Sequence, residues 1–343
     1  MSIVRFGLIG CGNITKKHVV AIRRISKAEL AAVCDINEER ARTLGKEYNI
    51  PFYTDYQKML KNEKIDVASV LTPTGSHTEH VMDLVNFCKN IIVEKPIASS
   101  LADADAIIQC CDKAGVRLFV VKQNRYNRPI QALRQALVSR RFGKLVLGSI
   151  RLRWNRTQAY YEGAKWRSFR ASGGGVLTNQ ASHHIDILQW MMGEIESVNA
   201  ITATRLADIE AEDTAVAILR FKSGALGVIE ATTGARPEDL EGSISILGEK
   251  GSVVVGGFAM DRLLTWKFSE PQPEDHEIFK NWGENPKEFA WNHTECVRNI
   301  VESIQGKTHP LVDGLEARKS LELLHRIYES AETRREVIIN SLS

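Results

Sequence analysis

Apolar and polar positions follow two different rhythms along the chain. Over the first third, short β-rich runs recur at Val4–Ile9, Leu30–Cys34, Val67–Leu71, Ile91–Val93 and Arg117–Val121. Helix-period segments fall between them, near Ile14–Ile25, Glu38–Tyr48, His77–Cys88 and Leu101–Ala114. Alternation of this kind predicts a parallel, doubly wound sheet, because parallel neighbours need a crossover that a helix supplies. After about Lys122 the rhythm changes. An amphipathic helix over Ile130–Ser139 is followed by a period-two strand, Ser149–Trp154, with Arg151 and Arg153 on one face. A helix near His183–Met192 precedes a series of strands. Thr214–Phe221 and Ala225–Ala231 flank Lys222-Ser223-Gly224, and Ser243–Leu247 and Ser252–Val255 flank Gly248-Glu249-Lys250-Gly251; both junctions are hairpin signals. Pro271–Lys287 reads as a long polar loop and Leu315–Arg335 as a closing helix. The expected fold class is α/β: a doubly wound domain over residues 1–122, then an α+β domain with an open, mostly antiparallel sheet over 123–343.

Composition narrows the function classes. The 343 residues carry 45 Lys+Arg against 42 Asp+Glu, a net charge of +3, with 43% hydrophobic residues. These proportions are those of an ordinary globular chain and exclude a disordered chain, a collagen-like fibre or a disulfide scaffold. The length favours two cores over one. No apolar run reaches 18 residues, so no membrane-spanning helix is expected. Ile3–Ile9 lacks a basic leader and runs into glycines, so it reads as a strand and not a signal peptide. A charge so near balance gives no global field for nucleic acid or an anionic membrane. The six scattered cysteines form no CxxC pair and read as reduced thiols of a cytoplasmic protein. Without HExxH or a compact Cys/His set, no metal is expected.

The strongest local signal follows the first strand: Gly7-Leu8-Ile9-Gly10-Cys11-Gly12-Asn13-Ile14-Thr15. Gly10 allows the tight turn and Gly12 lets backbone approach a pyrophosphate. The helix start at Asn13 and Ile14 offers N–H groups and a partial positive charge. Thr15 fills the third glycine slot and is expected to loosen helix–strand packing slightly. Asp35 closes the second strand, where an acid bonds both ribose hydroxyls and repels a 2′-phosphate; NAD is therefore favoured over NADP. The plainer alternative is a glycine turn and a solvated acid with no cofactor.

Two more segments close later strands, Thr72-Pro73 with His77, and Glu94-Lys95-Pro96. Ligands of doubly wound sheets bind outside such strand ends. A lysine there can carry a proton if its pKa falls; reaching neutrality from about 10.4 costs about 4 kcal/mol. Pro96 is a candidate cis residue. The competing account of Lys95 is a surface amine paired with Glu94. Further on, Gly173-Gly174-Gly175 precedes Asn179, His183 and Asp186, spaced i, i+4, i+7 on one helix face. His183 can exchange a proton near neutral pH; alternatively it is an interior histidine held by Asp186. Between Arg151 and Arg170 lie six cations (Arg151, Arg153, Arg156, Lys165, Arg167, Arg170), with Trp154, Tyr160, Tyr161, Trp166 and Phe169 interleaved and only Glu162 opposing. Arginine forks suit phosphates and carboxylates, and aromatics suit a base or sugar face. That points to an acidic nucleotide sugar over a neutral polyol. A solvated strand face, salt bridges to a second subunit and nucleic acid are the alternatives.

The set Gly10-x-Gly12, Asp35, Glu94-Lys95-Pro96 and Gly173-Gly174-Gly175 with Asn179-x-x-x-His183-x-x-Asp186 resembles the Gfo/Idh/MocA oxidoreductase family over essentially the whole chain. The resemblance implies a Rossmann domain, an α+β domain whose open sheet builds homo-oligomers (a dimer or tetramer), bound NAD, and Lys95 with His183, not His184, as the catalytic pair. Asn179 stands where many members carry aspartate. It also implies that Gly10, Gly12, Asn13, Ile14, Asp35, Thr72, Pro73, His77, Glu94, Lys95, Gln123, Trp166 and Arg167 hold the cofactor. Lys95, Asn124, Arg125, Arg153, Tyr160, Tyr161, Asn179 and His183 are the implied substrate contacts. A narrower set is similar to a bacterial branch that oxidises UDP-N-acetylglucosaminuronate at carbon 3 for lipopolysaccharide O-antigen sugars. It comprises Val120–Arg125, Tyr160-Tyr161, Trp166-Arg167, Asn179–His183 and Leu240–Ile244. An inositol or simple-sugar dehydrogenase of the same family, and a dinucleotide-sensing regulator, are the alternatives.

Overall fold

The computed structural model describes residues 2–339. Its contacts divide the chain into two units, Met1–Gln123 with Lys287–Leu321, and Asn124–Pro286 with Glu322–Ser343.

The first unit runs β1 (Val4–Ile9), α1 (Thr15–Arg23), β2 (Ala28–Cys34), α2 (Glu38–Tyr48), β3 (Phe52–Tyr53), α3 (Tyr56–Asn62), β4 (Val67–Val70), α4 (His77–Leu84), β5 (Asn90–Val93), α5 (Leu101–Ala114) and β6 (Arg117–Val120). The six strands form one parallel sheet in the order β3-β2-β1-β4-β5-β6. β4 and β5 are buried at every position, as strands covered on both faces must be. Order reverses beside β1, so the ends of β1 and β4 flank the switch point at which ligands of this fold class bind. Helix boundaries follow local chemistry. Asn37 caps α2 by accepting from the Arg40 N–H, and Ser100 caps α5 through the Asp103 N–H. Gly115, at φ +64°, ends α5. β3 and α3 are absent from the pattern expected above, being two and seven residues long.

A late segment belongs to this unit too. α10 (Trp291–Ile304) packs on α1, and Arg117 donates to the Ser303 carbonyl at 2.9 Å. Val312, Ala317 and Leu321 join the core formed by Val70, Ile91, Val93 and Ile107.

The second unit contains α6 (Arg128–Val138), β7 (Leu145–Arg153), α7 (Gln158–Glu162), α8 (Ser182–Met192), β8 (Ile195–Ala203), β9 (Thr214–Phe221), β10 (Leu226–Thr232), β11 (Glu241–Gly248), β12 (Gly251–Gly256), β13 (Arg262–Phe268), α9 (Ile278–Trp282), most of α11 (Gly314–Thr333), and β14 (Val337–Ile338). The strands make an eight-stranded sheet ordered β13-β12-β11-β7-β10-β9-β8-β14. β7 and β10 run parallel and every other neighbouring pair is antiparallel. One face buries Ile150, Leu152, Ala217, Leu219 and Ile229 against α6, α8 and α11. The opposite face alternates outward, with Val216, Ile218 and Leu226 exposed. The expected α/β architecture with an open, mostly antiparallel second sheet is the one observed. Within the stretch read as a loop, Pro273–Glu277 forms a 3-10 turn and α9 follows it. No helix among the described residues is long and apolar enough to cross a membrane.

Candidate functional site

In the first unit, the turn after β1 is fixed by backbone geometry. Gly10 sits at φ +103°, and a Cβ there would lie 2.9 Å from the Leu71 carbonyl. Both facts require glycine. A Cβ on Gly12 would meet nothing within 4 Å, so the backbone of that loop is open to an approaching group. No side chain caps α1 at Ile14, which leaves the helix start available to an anion. Thr15 departs from the expectation that it loosens packing: it is buried, and its hydroxyl donates to the Gly10 carbonyl at 2.8 Å, tying helix to turn. Asp35 accepts the Cys11 N–H at 2.7 Å and the Asn37 N–H at 2.8 Å. An ionised carboxylate has about four acceptor sites, so capacity for ribose hydroxyls is left. Open glycine backbone, an uncapped helix and an acid at the end of β2 fit NAD.

The ends of β4 and β5 hold the other candidates. Thr72 Oγ1 lies 3.2 Å from His80 Nδ1. His77 is buried, with Nδ1 3.0 Å from the Pro96 carbonyl and Nε2 3.0 Å from the Thr72 carbonyl. Burial pushes its pKa down against those two bonds. Glu94 is also buried; its oxygens take His18 Nε2 at 2.7 Å and the Lys95 N–H at 3.1 Å. His77 and Glu94, expected to face a cofactor, thus spend their polar atoms inside the protein, holding the two loops that carry Pro73 and Lys95. Lys95 is half-buried and precedes a cis peptide bond to Pro96. Burial lowers the Lys95 pKa, Lys122 and Lys17 push the same way, and Glu94 opposes them. That is the direction a proton-transferring lysine needs. Lys122 is itself anchored, its Nζ donating to Ser320 Oγ at 2.8 Å. Gln123 is half-buried at the start of a short 3-10 turn.

In the second unit, the glycine-rich stretch enters helix α8 through a π-helical turn, Val176–Ala181. Such turns recur at functional sites. Asn179 lies in that turn and His183 in the first turn of α8, both half-buried. The turn is pinned by Glu212, which accepts the Leu177 N–H and the Tyr328 hydroxyl at 2.9 Å each. Tyr328 and Thr178 share a further hydroxyl contact of 2.9 Å. Gly175 is at φ +89°, where a Cβ would stand 2.5 Å from Glu212 Oε1. Burial raises the Glu212 pKa. His184 is fully buried against Trp154, and burial pulls its pKa down to about 4. Of the two adjacent histidines, His183 is therefore the accessible one. Asp186 is buried in a two-bond pair with Arg125, at 2.8 and 2.9 Å, and Arg125 stacks over Trp190.

Arg125, which the resemblance implies as a substrate contact, is 2% exposed and braces α8 through that pair. Asn124 is buried too, its amide 3.5 Å from the Ala259 carbonyl. Tyr161, another expected contact, is buried with its hydroxyl on Thr233 at 2.8 Å. Arg153 lies across three strands, bonded to Glu230 on β10 and 3.5 Å from Glu241 on β11. The cation cluster is largely neutralised by acids remote in sequence. Arg156 meets Asp239 at 3.0 Å, and Arg170 pairs with Glu332 over the Tyr328 ring. Among the described residues, Lys165 and Arg167 form no ion pair. Tyr160 engages Arg167: its hydroxyl accepts from Asn179 at 3.2 Å and Gln180 at 2.7 Å, and Arg167 stacks 4.1 Å from its ring. Trp166 is exposed beside it in sequence. His18, Glu212 and Tyr328 were not singled out from the sequence. His18 alone left a trace there, a polar residue on the apolar stripe of α1.

The chain is similar to known proteins over both units. The model of an oxidoreductase family with an NAD-binding Rossmann fold matches residues 4–122, and that of the family's C-terminal alpha/beta domain matches 134–339. The WlbA dehydrogenase from Bordetella pertussis, solved with NADH and UDP-GlcNAcA, is 39% identical, with a TM-score of 0.91 and 99% of each chain covered. Its counterpart from Chromobacterium violaceum, solved with the same two ligands, is 37% identical at a TM-score of 0.91, covering 99% of this chain and 97% of that one. Myo-inositol 2-dehydrogenase of Thermotoga maritima is 27% identical over 97% of this chain and 98% of its own.

Proposed function

This chain belongs to the Gfo/Idh/MocA family of NAD-dependent oxidoreductases, and on that premise we propose that it oxidises the 3-hydroxyl of UDP-N-acetylglucosaminuronate to the 3-keto sugar, with Lys95 and His183 as the acid–base pair. The observation that carries the substrate is the full-length similarity, at 37–39% identity, to two dehydrogenases solved with NADH and UDP-GlcNAcA. Bound NAD supplies the hydride acceptor. Gly10, Gly12 and the start of α1 hold its phosphates, and Asp35 holds its ribose and turns away a 2′-phosphate. Lys95, with its pKa lowered by burial, takes the hydroxyl proton, and His183 shares it. Tyr160 and Asn179 receive the sugar nucleotide, with Trp166 and Arg167 closing over sugar or cofactor.

The product serves bacterial O-antigen synthesis in this reading, a step for the cytoplasm. The reading also includes a homo-oligomer: Ile201, Val216, Ile218 and Leu226 put a row of exposed apolar side chains on the open sheet face. Light scattering behind size exclusion checks it, a dimer or tetramer being expected.

Substrate choice is tested by NADH formation with UDP-N-acetylglucosaminuronate, UDP-N-acetylglucosamine and myo-inositol, each product identified by mass. A product two mass units lighter from the uronate alone is expected. Turnover of myo-inositol with an inert uronate would overturn the assignment in favour of an inositol dehydrogenase.

A further inference from the structure

Three elements of the first unit converge behind Lys95. α1 contributes His18, α10 contributes His293, and the end of β5 leads into Glu94; all three side chains are buried. His18 Nε2 lies 2.7 Å from Glu94 Oε1, while Glu94 Oε2 accepts the Lys95 N–H at 3.1 Å. The carboxylate thus joins the buried face of α1 to the backbone of the lysine itself. His293 meets His18 edge to face, with ring centroids 5.9 Å apart. A buried polar pair of this kind is often no more stabilising than apolar side chains of equal volume. Its geometry therefore asks for a role other than cohesion.

We propose that His18 is a positioning residue for Lys95 and acts through Glu94: by donating to the carboxylate, it keeps a fixed negative charge on the side chain that accepts the Lys95 backbone N–H. The proposal rests on the reading of Lys95 as a proton-transfer group. The surrounding charges agree with it. Burial pushes the Glu94 pKa up, but the hydrogen bond from His18, helped electrostatically by His18, His293 and Lys95, outweighs it and holds the group at about 2, so the acid is ionised and the imidazole N–H donates. His293 is driven down to about 3 by burial and stays neutral. At Lys95, burial, Lys122 and Lys17 all disfavour the ammonium, and Glu94 alone supports it. His77 also feels Glu94 from α4. The acid accordingly limits how far the lysine pKa falls, and His18 keeps the acid charged.

The test reads the amine directly, without turnover. The full chain is labelled with trace acetic anhydride across a pH series, and acetylation of Lys95 is quantified by peptide mass. Glu94→Gln should move the Lys95 labelling midpoint down by about 1 pH unit, the lower end for losing a neighbouring opposite charge. His18→Leu should move it the same way, and His18→Gln, which keeps an N–H donor, should restore much of the wild-type midpoint. The double variant His18→Leu/Glu94→Gln should shift no further than Glu94→Gln alone, since both act through one carboxylate. An unmoved midpoint in Glu94→Gln, or additive shifts in the double variant, overturns the proposal. If His18→Leu does not fold, Glu94→Gln and His18→Gln carry the test. A midpoint that moves while the pH profile of kcat stays fixed supports the positioning role and removes Lys95 from proton transfer instead.

Discussion

At the β1–α1 turn, the groups offered to a ligand are backbone N–H groups, fixed by one glycine conformation and one acid. Across Arg151–Arg170 they are guanidinium groups, most of them already engaged by acids from other strands. The first arrangement is written in two short segments, Gly10–Thr15 and the acid that ends β2, because φ at Gly10 and the end of a strand are local properties. The second depends on pairings such as Arg153 with Glu230, which lie 77 residues apart. Local chemistry therefore identifies the dinucleotide turn, whereas a run of cations says little about charge until the fold supplies its neighbours.

Substitutions sharpen this contrast, beginning with the turn. Gly10→Val places a β-branched residue at φ +103° against the Leu71 carbonyl. Strain of about 1–3 kcal/mol is expected, weakening NADH binding by about ten- to a hundredfold. Fluorescence titration and denaturant unfolding measure both, and unchanged affinity would detach the turn from the cofactor. Asp35→Ala comes next: losing a charged hydrogen-bond partner is worth about 1.5–3 kcal/mol, and the preference for NADH over NADPH should shrink. Tighter NADPH than NADH binding by the unaltered chain would refute the role of Asp35.

In the second unit the expected effects are smaller. The folded pKa of Glu212 is raised by burial, so its stabilising contribution is complete below the unfolded value of 4.5 and is lost as pH rises through the folded one. Glu212→Gln retains an oxygen acceptor for the Leu177 N–H and the Tyr328 hydroxyl. Its melting temperature should fall less than that of the wild type as pH is raised from 4.5, and parallel curves would show that Glu212 ionisation is not coupled to folding. Arg153→Ala removes half-exposed ion pairs worth ~0.2–1 kcal/mol, so nucleotide-sugar binding by calorimetry should barely change. A collapse of binding would return Arg153 to the substrate.

The same distinction explains what the sequence revealed. The strands β4, β5 and β6 were legible because parallel strands covered on both faces read as continuous apolar runs. β9 and β10 were legible because one open face imposes a period of two. β3 was too short to register, and the amphipathic period of α10 names no partner, so its packing on α1 was hidden. At the site, Gly10, Asp35 and Lys95 stood out through position after a strand. His18 and Glu94 are separated by 76 residues and Glu212 and Tyr328 by 116, and nothing local links them. The burial of Arg125 and Tyr161 is likewise a property of the fold.

The central claim is that the amine of Lys95 moves the substrate proton. Single-turnover NADH formation with UDP-N-acetylglucosaminuronate, compared between the wild type and Lys95→Ala at matched NAD occupancy, tests it most directly. The account predicts a rate lower by about 10²–10⁴ in the variant, and a wild-type rate that climbs with pH to a plateau below the ordinary lysine value of 10.5. A variant that turns over at close to the wild-type rate would contradict it.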